Sequence, residues 1–163
     1  MTARPDLAHG TFSIERRYDA TPERVFRAFS DPVAHRRWFV DGKGFTVHEW
    51  THDFRVGGRS GGRFRFGGEG HDTLFNDTEH LDIVDNRRIV VSYVMGRETA
   101  RGREPFSASL ATTELVADGV GTRLIYTEQG AYFGDDPARE IRGREHGCAA
   151  LFDALERDLR EHG

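Results

Sequence analysis

The chain has 163 residues, 37% of them hydrophobic and 31% charged, with a formal net charge of −4 at pH 7. That length suits one domain with a substantial core, and the modest negative charge gives no global attraction to nucleic acid. No apolar run reaches membrane-spanning length, MTARPDLAHG lacks the apolar segment of a secretory leader, and the single Cys148 excludes an internal disulfide or a cysteine-rich zinc site.

Residues 1–10 carry no periodic pattern and are expected to be a flexible lead-in to one domain over 11–160. TFSIERRY alternates Phe12, Ile14 and Tyr18 with polar residues, which predicts a first strand. In DATPERVFRAFSDP, Thr21 is a good N-cap and Pro22 fits a first helical turn. Val25, Phe26 and Phe29 then form an apolar stripe. Asp31-Pro32 ends that helix and starts a second short one running to Trp38-Phe39.

Beyond the turn at 41–44, six strands are expected at roughly 45–54, 62–67, 71–84, 88–96, 105–117 and 121–133. The facing of the first of them is open. Phe45 and Val47 argue for one face and Trp50 and Phe54 for the other, unless a bulge intervenes.

DFRVGGRSGGRFRFGGEG (53–70) packs seven glycines and four arginines into 18 positions. Its spacing matches no nucleotide-binding loop, and no helix start follows. Arg63-Phe64-Arg65-Phe66 alternates instead, so a short strand is expected with both arginines in solvent and both phenylalanines in the core. The glycine pairs are expected to bound it. From Pro137 to about Arg160, Ile141, Cys148, Phe152, Leu155 and Leu159 recur at helical spacing, with Asp136 as a cap. Such a helix can cover the apolar face of a curved sheet and leave a cavity between them.

The chemistry-bearing residues are few. His48 and His52 would share a strand face about 13 Å apart, too far to bind one ion, and the histidines are expected at the surface or rim; no metal is expected. Cys148 sits on an apolar stripe and reads as a small buried hydrophobe, not as a nucleophile. Leu124, Tyr126 and Glu128 alternate on one inward face, so Glu128 and Tyr126 are polar candidates beside the cavity. A salt bridge to an arginine is the reading preferred for Glu128 over general-base chemistry. No catalytic residue and no cofactor are assigned, and the reading leans away from an enzyme.

Taken together, ATPERVFRAFSDP with RRWF, DFRVGGRSGGRFRF, NRRIVVSY, GTRLIYTEQGAYF and GREHGCAALFDAL resemble, in that order, one family. The chain resembles bacterial proteins related to the C-terminal domain of the activator of heat-shock-protein-90 ATPase, within the START-like, birch-pollen-allergen-like (SRPBCC) superfamily. The resemblance spans about 11–160. It implies an α+β helix-grip fold: a seven-stranded curved antiparallel sheet wrapped around a long C-terminal helix, with two short helices between strands 1 and 2. Family members often carry Gly-Trp where this chain has Gly147-Cys148, which implies extra room beside Cys148.

The expected function is binding of a small, mostly apolar molecule in a cavity lined by Trp38, Phe64, Phe66, Phe75, Tyr93, Tyr126, Glu128, Cys148 and Phe152. The alternatives are a cofactor-independent cyclase- or hydrolase-type enzyme, or an interaction module for a chaperone or another protein. The chaperone activator carries a further N-terminal domain for which 163 residues leave no room, which argues against a chaperone partner. A cytoplasmic monomer or homodimer, with no nucleic acid and no membrane as partner, completes the expectation.

Overall fold

The structure is a computed structural model that describes residues 7–42 and 44–162. β1 (Ala8–Tyr18) leads into α1 (Pro22–Ser30) and α2 (Pro32–Phe39). Six strands follow: β2 (Phe45–His52), β3 (Arg59–Phe66), β4 (Thr73–Val84), β5 (Arg88–Thr99), β6 (Gly102–Asp118) and β7 (Gly121–Tyr132). α3 (Pro137–His162) ends the described chain. Among the described residues no helix is long and apolar enough to cross a membrane.

The helix starts follow from local chemistry. Thr21 Oγ1 accepts from the Arg24 amide at 3.3 Å, Asp31 Oδ1 from Val33 and Ala34 at 2.8 and 3.1 Å, and Asp136 Oδ1 from Arg139 at 3.2 Å. Each satisfies amides that the first helical turn leaves free. Pro22 and Pro32 stand in first turns, where a missing N–H costs nothing.

All seven strands form one antiparallel sheet in the order β1-β7-β6-β5-β4-β3-β2. β1 and β2 are consecutive along the chain yet occupy opposite edges, so α1 and α2 must carry the backbone across the inner face. The helices are tied down there. Arg37 of α2 holds Asp158 of α3 at 2.8 Å, and Arg24 of α1 donates to the Leu159 carbonyl at 3.0 Å. Behind them Val25, Leu124 and Leu155 are fully buried in a core that includes Phe12, Trp38, Cys148 and Phe152.

The facing of β2 resolves through a bulge between Val47 and Glu49. Phe45, Val47, Trp50 and His52 pair with Phe66, Phe64, Gly62 and Ser60, one alternating set on β3. The extra residue reverses parity, so both halves of the strand address the same face.

Three expectations are corrected. β1 begins at Ala8, inside the stretch read as a lead-in, while residues 1–6 lie outside the described residues. Gly61-Gly62 lies within β3 instead of bounding it. Gly61 has φ +136°, and a Cβ on either glycine would run into a neighbouring strand's backbone, at Asn76 or Glu49. Phe66 is 60% exposed and rests on Phe45, itself at the surface, because this end of β3 extends past the helices that cover the sheet.

A buried aromatic side chain and an exposed one on the same sheet differ mainly in the area removed from water. Phe152→Ala is therefore expected to cost about 3–5 kcal/mol, and Phe66→Ala less than about 1 kcal/mol, by urea titration. Equal losses would contradict this packing.

Candidate functional site

A cavity of about 110 Å³ lies between the inner face of the sheet and the helices. Its apolar wall comes from Phe29, Trp38, Phe54, Ile89, Leu151 and Phe152. Two polar groupings interrupt that wall, and they differ in charge.

The first is built around Glu128, which is completely buried on β7 between Phe12 of β1 and Ala111 of β6. A carboxylate without water must find donors in the protein. Tyr93 and Tyr126 donate their hydroxyls to Oε1 at 2.5 and 2.6 Å, and Tyr132 donates to Oε2 at 3.4 Å. Arg144 of α3 stands 3.7 Å from Oε1. Its Nε donates to the Tyr93 hydroxyl at 2.9 Å and its Nη2 to Cys148 Sγ at 3.2 Å. A chain of donors thus runs from Arg144 through Tyr93 to Glu128.

Burial pushes Tyr132 up to about 12, and burial raises Tyr93 and Tyr126 further, with the neighbouring carboxylate acting in the same direction. Burial also raises the Cys148 thiol against the opposing pull of Arg144. These groups therefore stay protonated donors at neutral pH. Arg144 Nη1 makes no hydrogen bond among the described residues, and the side chain is 20% exposed. That leaves donor capacity beside the cavity.

The second grouping is neutral. His35 and His52 stack at 4.1 Å with 5° between their planes, and His80 meets His52 edge-on at 5.9 Å. His52 bridges Ser60 Oγ and the Phe29 carbonyl, both at 2.8 Å, and His80 Nδ1 donates to the Gly58 carbonyl at 3.2 Å. Burial lowers the pKa of all three, and their mutual repulsion if charged lowers that of His35 and His52 further. Stacked rings direct their nitrogen lone pairs in parallel planes and do not converge on an ion. Among the described residues no group of three or more His, Cys, Asp or Glu side chains is placed to hold a metal.

Of the expected cavity residues, Trp38, Tyr93, Tyr126, Cys148 and Phe152 stand on the wall. Glu128 lies behind it, sealed by the tyrosines. Phe64 packs instead into a small cluster with Tyr93, Met95 and Ala111. Phe75 is buried under the Arg103 guanidinium, 3.7 Å from its ring centroid, at the odd-numbered register positions shared with solvent-facing Asp77. Phe66 is at the surface, as described.

The rim placement of the histidines fails for His35, His52 and His80, which line the cavity. His35, Ser60 and Arg144 went unassigned. Arg144 was detectable as the residue four before Cys148, on the same helix face, and His35 as the residue three and four before Trp38 and Phe39. The Ser60–His52 pairing had no such signal, because it depends on the bulge.

The buried charge and the neutral rings make separate stability claims. Glu128→Leu strands Arg144 and three hydroxyls, so a loss of about 3–5 kcal/mol is expected in chemical denaturation. The histidines are harder to protonate folded than unfolded, so the unfolded chain binds more protons as pH falls below their ordinary value near 6.5. Stability is then expected to fall from pH 7 to pH 5.5, by up to about 1.4 kcal/mol per histidine for each pH unit below that ordinary value while the folded ring stays neutral. His35→Phe should flatten that dependence in thermal unfolding; an unchanged slope would show that His35 does not contribute.

The family model described as "Activator of Hsp90 ATPase homolog 1-like protein" matches residues 19–159. Among solved structures, the Mll3558 protein from Rhizobium loti is 45% identical, with a TM-score of 0.81, covering 94% of this chain and 99% of that one. A putative uncharacterized protein from Rhizobium leguminosarum is 32% identical, with a TM-score of 0.87, covering 99% of this chain and 100% of that one. Protein CV1439 from Chromobacterium violaceum, 24% identical with a TM-score of 0.68 over 91% of this chain and 96% of that one, shares the fold. Among curated proteins none matches the chain. With the family model spanning most of the sequence, and with a seven-stranded sheet closed by a long C-terminal helix, the chain belongs to the Activator of Hsp90 ATPase homolog 1-like family.

Proposed function

We propose that the protein binds a small, mostly apolar molecule in this cavity, with a hydrogen-bond acceptor on the ligand facing Arg144. The observation that carries the reading is a wall of aromatic side chains beside a guanidinium with unused donors. Burial of the ligand's apolar area supplies affinity at about 25 cal/mol per Å². The acceptor supplies orientation, because Arg144 can satisfy it without leaving its place beside Glu128.

Size and charge narrow the class. About 110 Å³ is somewhat less than the roughly 150 Å³ apolar void known to take up benzene, so the part of the ligand inside the cavity is no larger than about one ring or a short chain. Glu128 already balances Arg144, so the site does not demand an anion; a neutral carbonyl suffices. Pre-positioning by three tyrosines and one carboxylate keeps the cost of ordering on binding low.

Acetophenone, a ring with a carbonyl, is a suitable probe, and toluene is its control without an acceptor. In amide-detected NMR titrations acetophenone is expected to shift Arg144, Cys148 and Tyr126 and to bind more tightly than toluene. Cys148→Trp places an indole in the same space. It should remain folded at a cost within about 1–3 kcal/mol and weaken acetophenone at least tenfold. Undiminished binding by Cys148→Trp, or no saturable binding by wild type, would reject this reading.

A further inference from the structure

His52 and Ser60 are register partners across the β2–β3 ladder, and both stand on the cavity wall. Ser60 Oγ lies 2.8 Å from His52 Nδ1, and His52 Nε2 lies 2.8 Å from the Phe29 carbonyl oxygen. A carbonyl oxygen only accepts, so Nε2 carries the ring proton. Nδ1 is then the bare nitrogen, and the Ser60 hydroxyl donates to it. That is the polarity of a nucleophile aligned on its base, with a third group fixing the tautomer.

The surroundings suit the same chemistry. His35 lies flat against His52 and restrains the ring from turning. Burial favours the neutral imidazole, the form that can take a proton. Trp50, one inward position before His52 and opposite Gly62, has a buried indole N–H without a partner among the described residues. Asn76, opposite Gly62 on the other side, accepts from Thr78 through Oδ1, while its side-chain NH₂ makes no hydrogen bond among the described residues. These two donors line the same cavity as the serine–histidine pair, and a donor there can serve a substrate oxygen that gains negative charge.

We propose that Ser60 is a nucleophile with His52 as its base, and that the chain hydrolyses small uncharged carboxylic esters whose acyl group is about the size of one ring. Ser60 Oγ bonds to the ester carbonyl carbon as its proton passes to His52 Nδ1. The carbon–oxygen bond to the alcohol then breaks with its electron pair, and the leaving oxygen takes that proton from His52. Water adds to the acyl-serine, His52 receives the water's proton and returns it to Ser60 Oγ, and the carboxylic acid departs. Ester and water become acid and alcohol, with no other reactant. The proposal rests on the cavity admitting small apolar molecules, as inferred above.

The test is covalent labelling of the full chain with diisopropyl fluorophosphate, in which a bond from Ser60 Oγ to phosphorus replaces the phosphorus–fluorine bond. One adduct on Ser60 is expected by peptide mass analysis, absent in Ser60→Ala and slowed by excess acetophenone. Labelling should fall at least tenfold on acidification to a pH where the chain is still folded but His52 is protonated. Hydrolysis of 4-nitrophenyl butyrate should show the same dependence. An adduct on tyrosine, or none, while acetophenone still binds would overturn the nucleophile and leave the binding reading intact. A Ser60 adduct without acetophenone binding would support the nucleophile and reject that reading; neither signal would overturn both.

Discussion

One helix must cover the inner face of a seven-stranded sheet, and that mismatch governs the rest of the structure. Six inter-strand spacings make the sheet about 29 Å wide, whereas a helix with its side chains is about 10–12 Å across. α3, with 26 residues, is about 39 Å long and can follow the sheet but cannot span its width. The sheet curls, α1 and α2 bridge the remaining face, and the Arg37–Asp158 pair and the Arg24–Leu159 hydrogen bond join the helices. Where these covers meet, the cavity remains.

Burying Glu128 has the next largest consequence. An isolated carboxylate in such a place would be costly, so its neighbours are constrained to be donors. Tyr93, Tyr126 and Tyr132 come from β5 and β7, and Arg144 from α3, so one charge couples two strands and the covering helix. The same constraint fixes the orientation of three side chains on the cavity wall, Tyr93, Tyr126 and Arg144. Stability and preorganisation of the site therefore share one cause.

The other polar grouping of the cavity is organised without net charge. His35, His52 and His80 pack as aromatic rings, and their buried setting favours the neutral form. Hydrogen bonds to the carbonyls of Phe29 and Gly58 set the tautomers of His52 and His80. The cavity lining thus combines a charged donor, neutral rings and aromatic side chains. That combination distinguishes this cavity from a simple packing void.

Local patterns carried much of the architecture. Thr21, Asp31 and Asp136 with the adjacent prolines located the helix starts, since capping needs only neighbouring residues. Period-two alternation located β1 and β7 and placed Leu124 and Glu128 inward, and the stripe from Cys148 to Leu155 identified the covering face of α3. The same rule failed for Phe66, where alternation set the face of the strand but not how far the helices extend over it. It also failed for Phe75, which is buried on the opposite face beneath Arg103. The partners of Glu128 and the pairing of His52 with Ser60 were decided by tertiary structure alone. They depend on strand register, on one bulge between Val47 and Glu49, and on where α3 lies over the sheet, and these join residues up to 35 positions apart along the chain. Periodicity tells a residue which way to face, but only the packed sheet determines what it meets there.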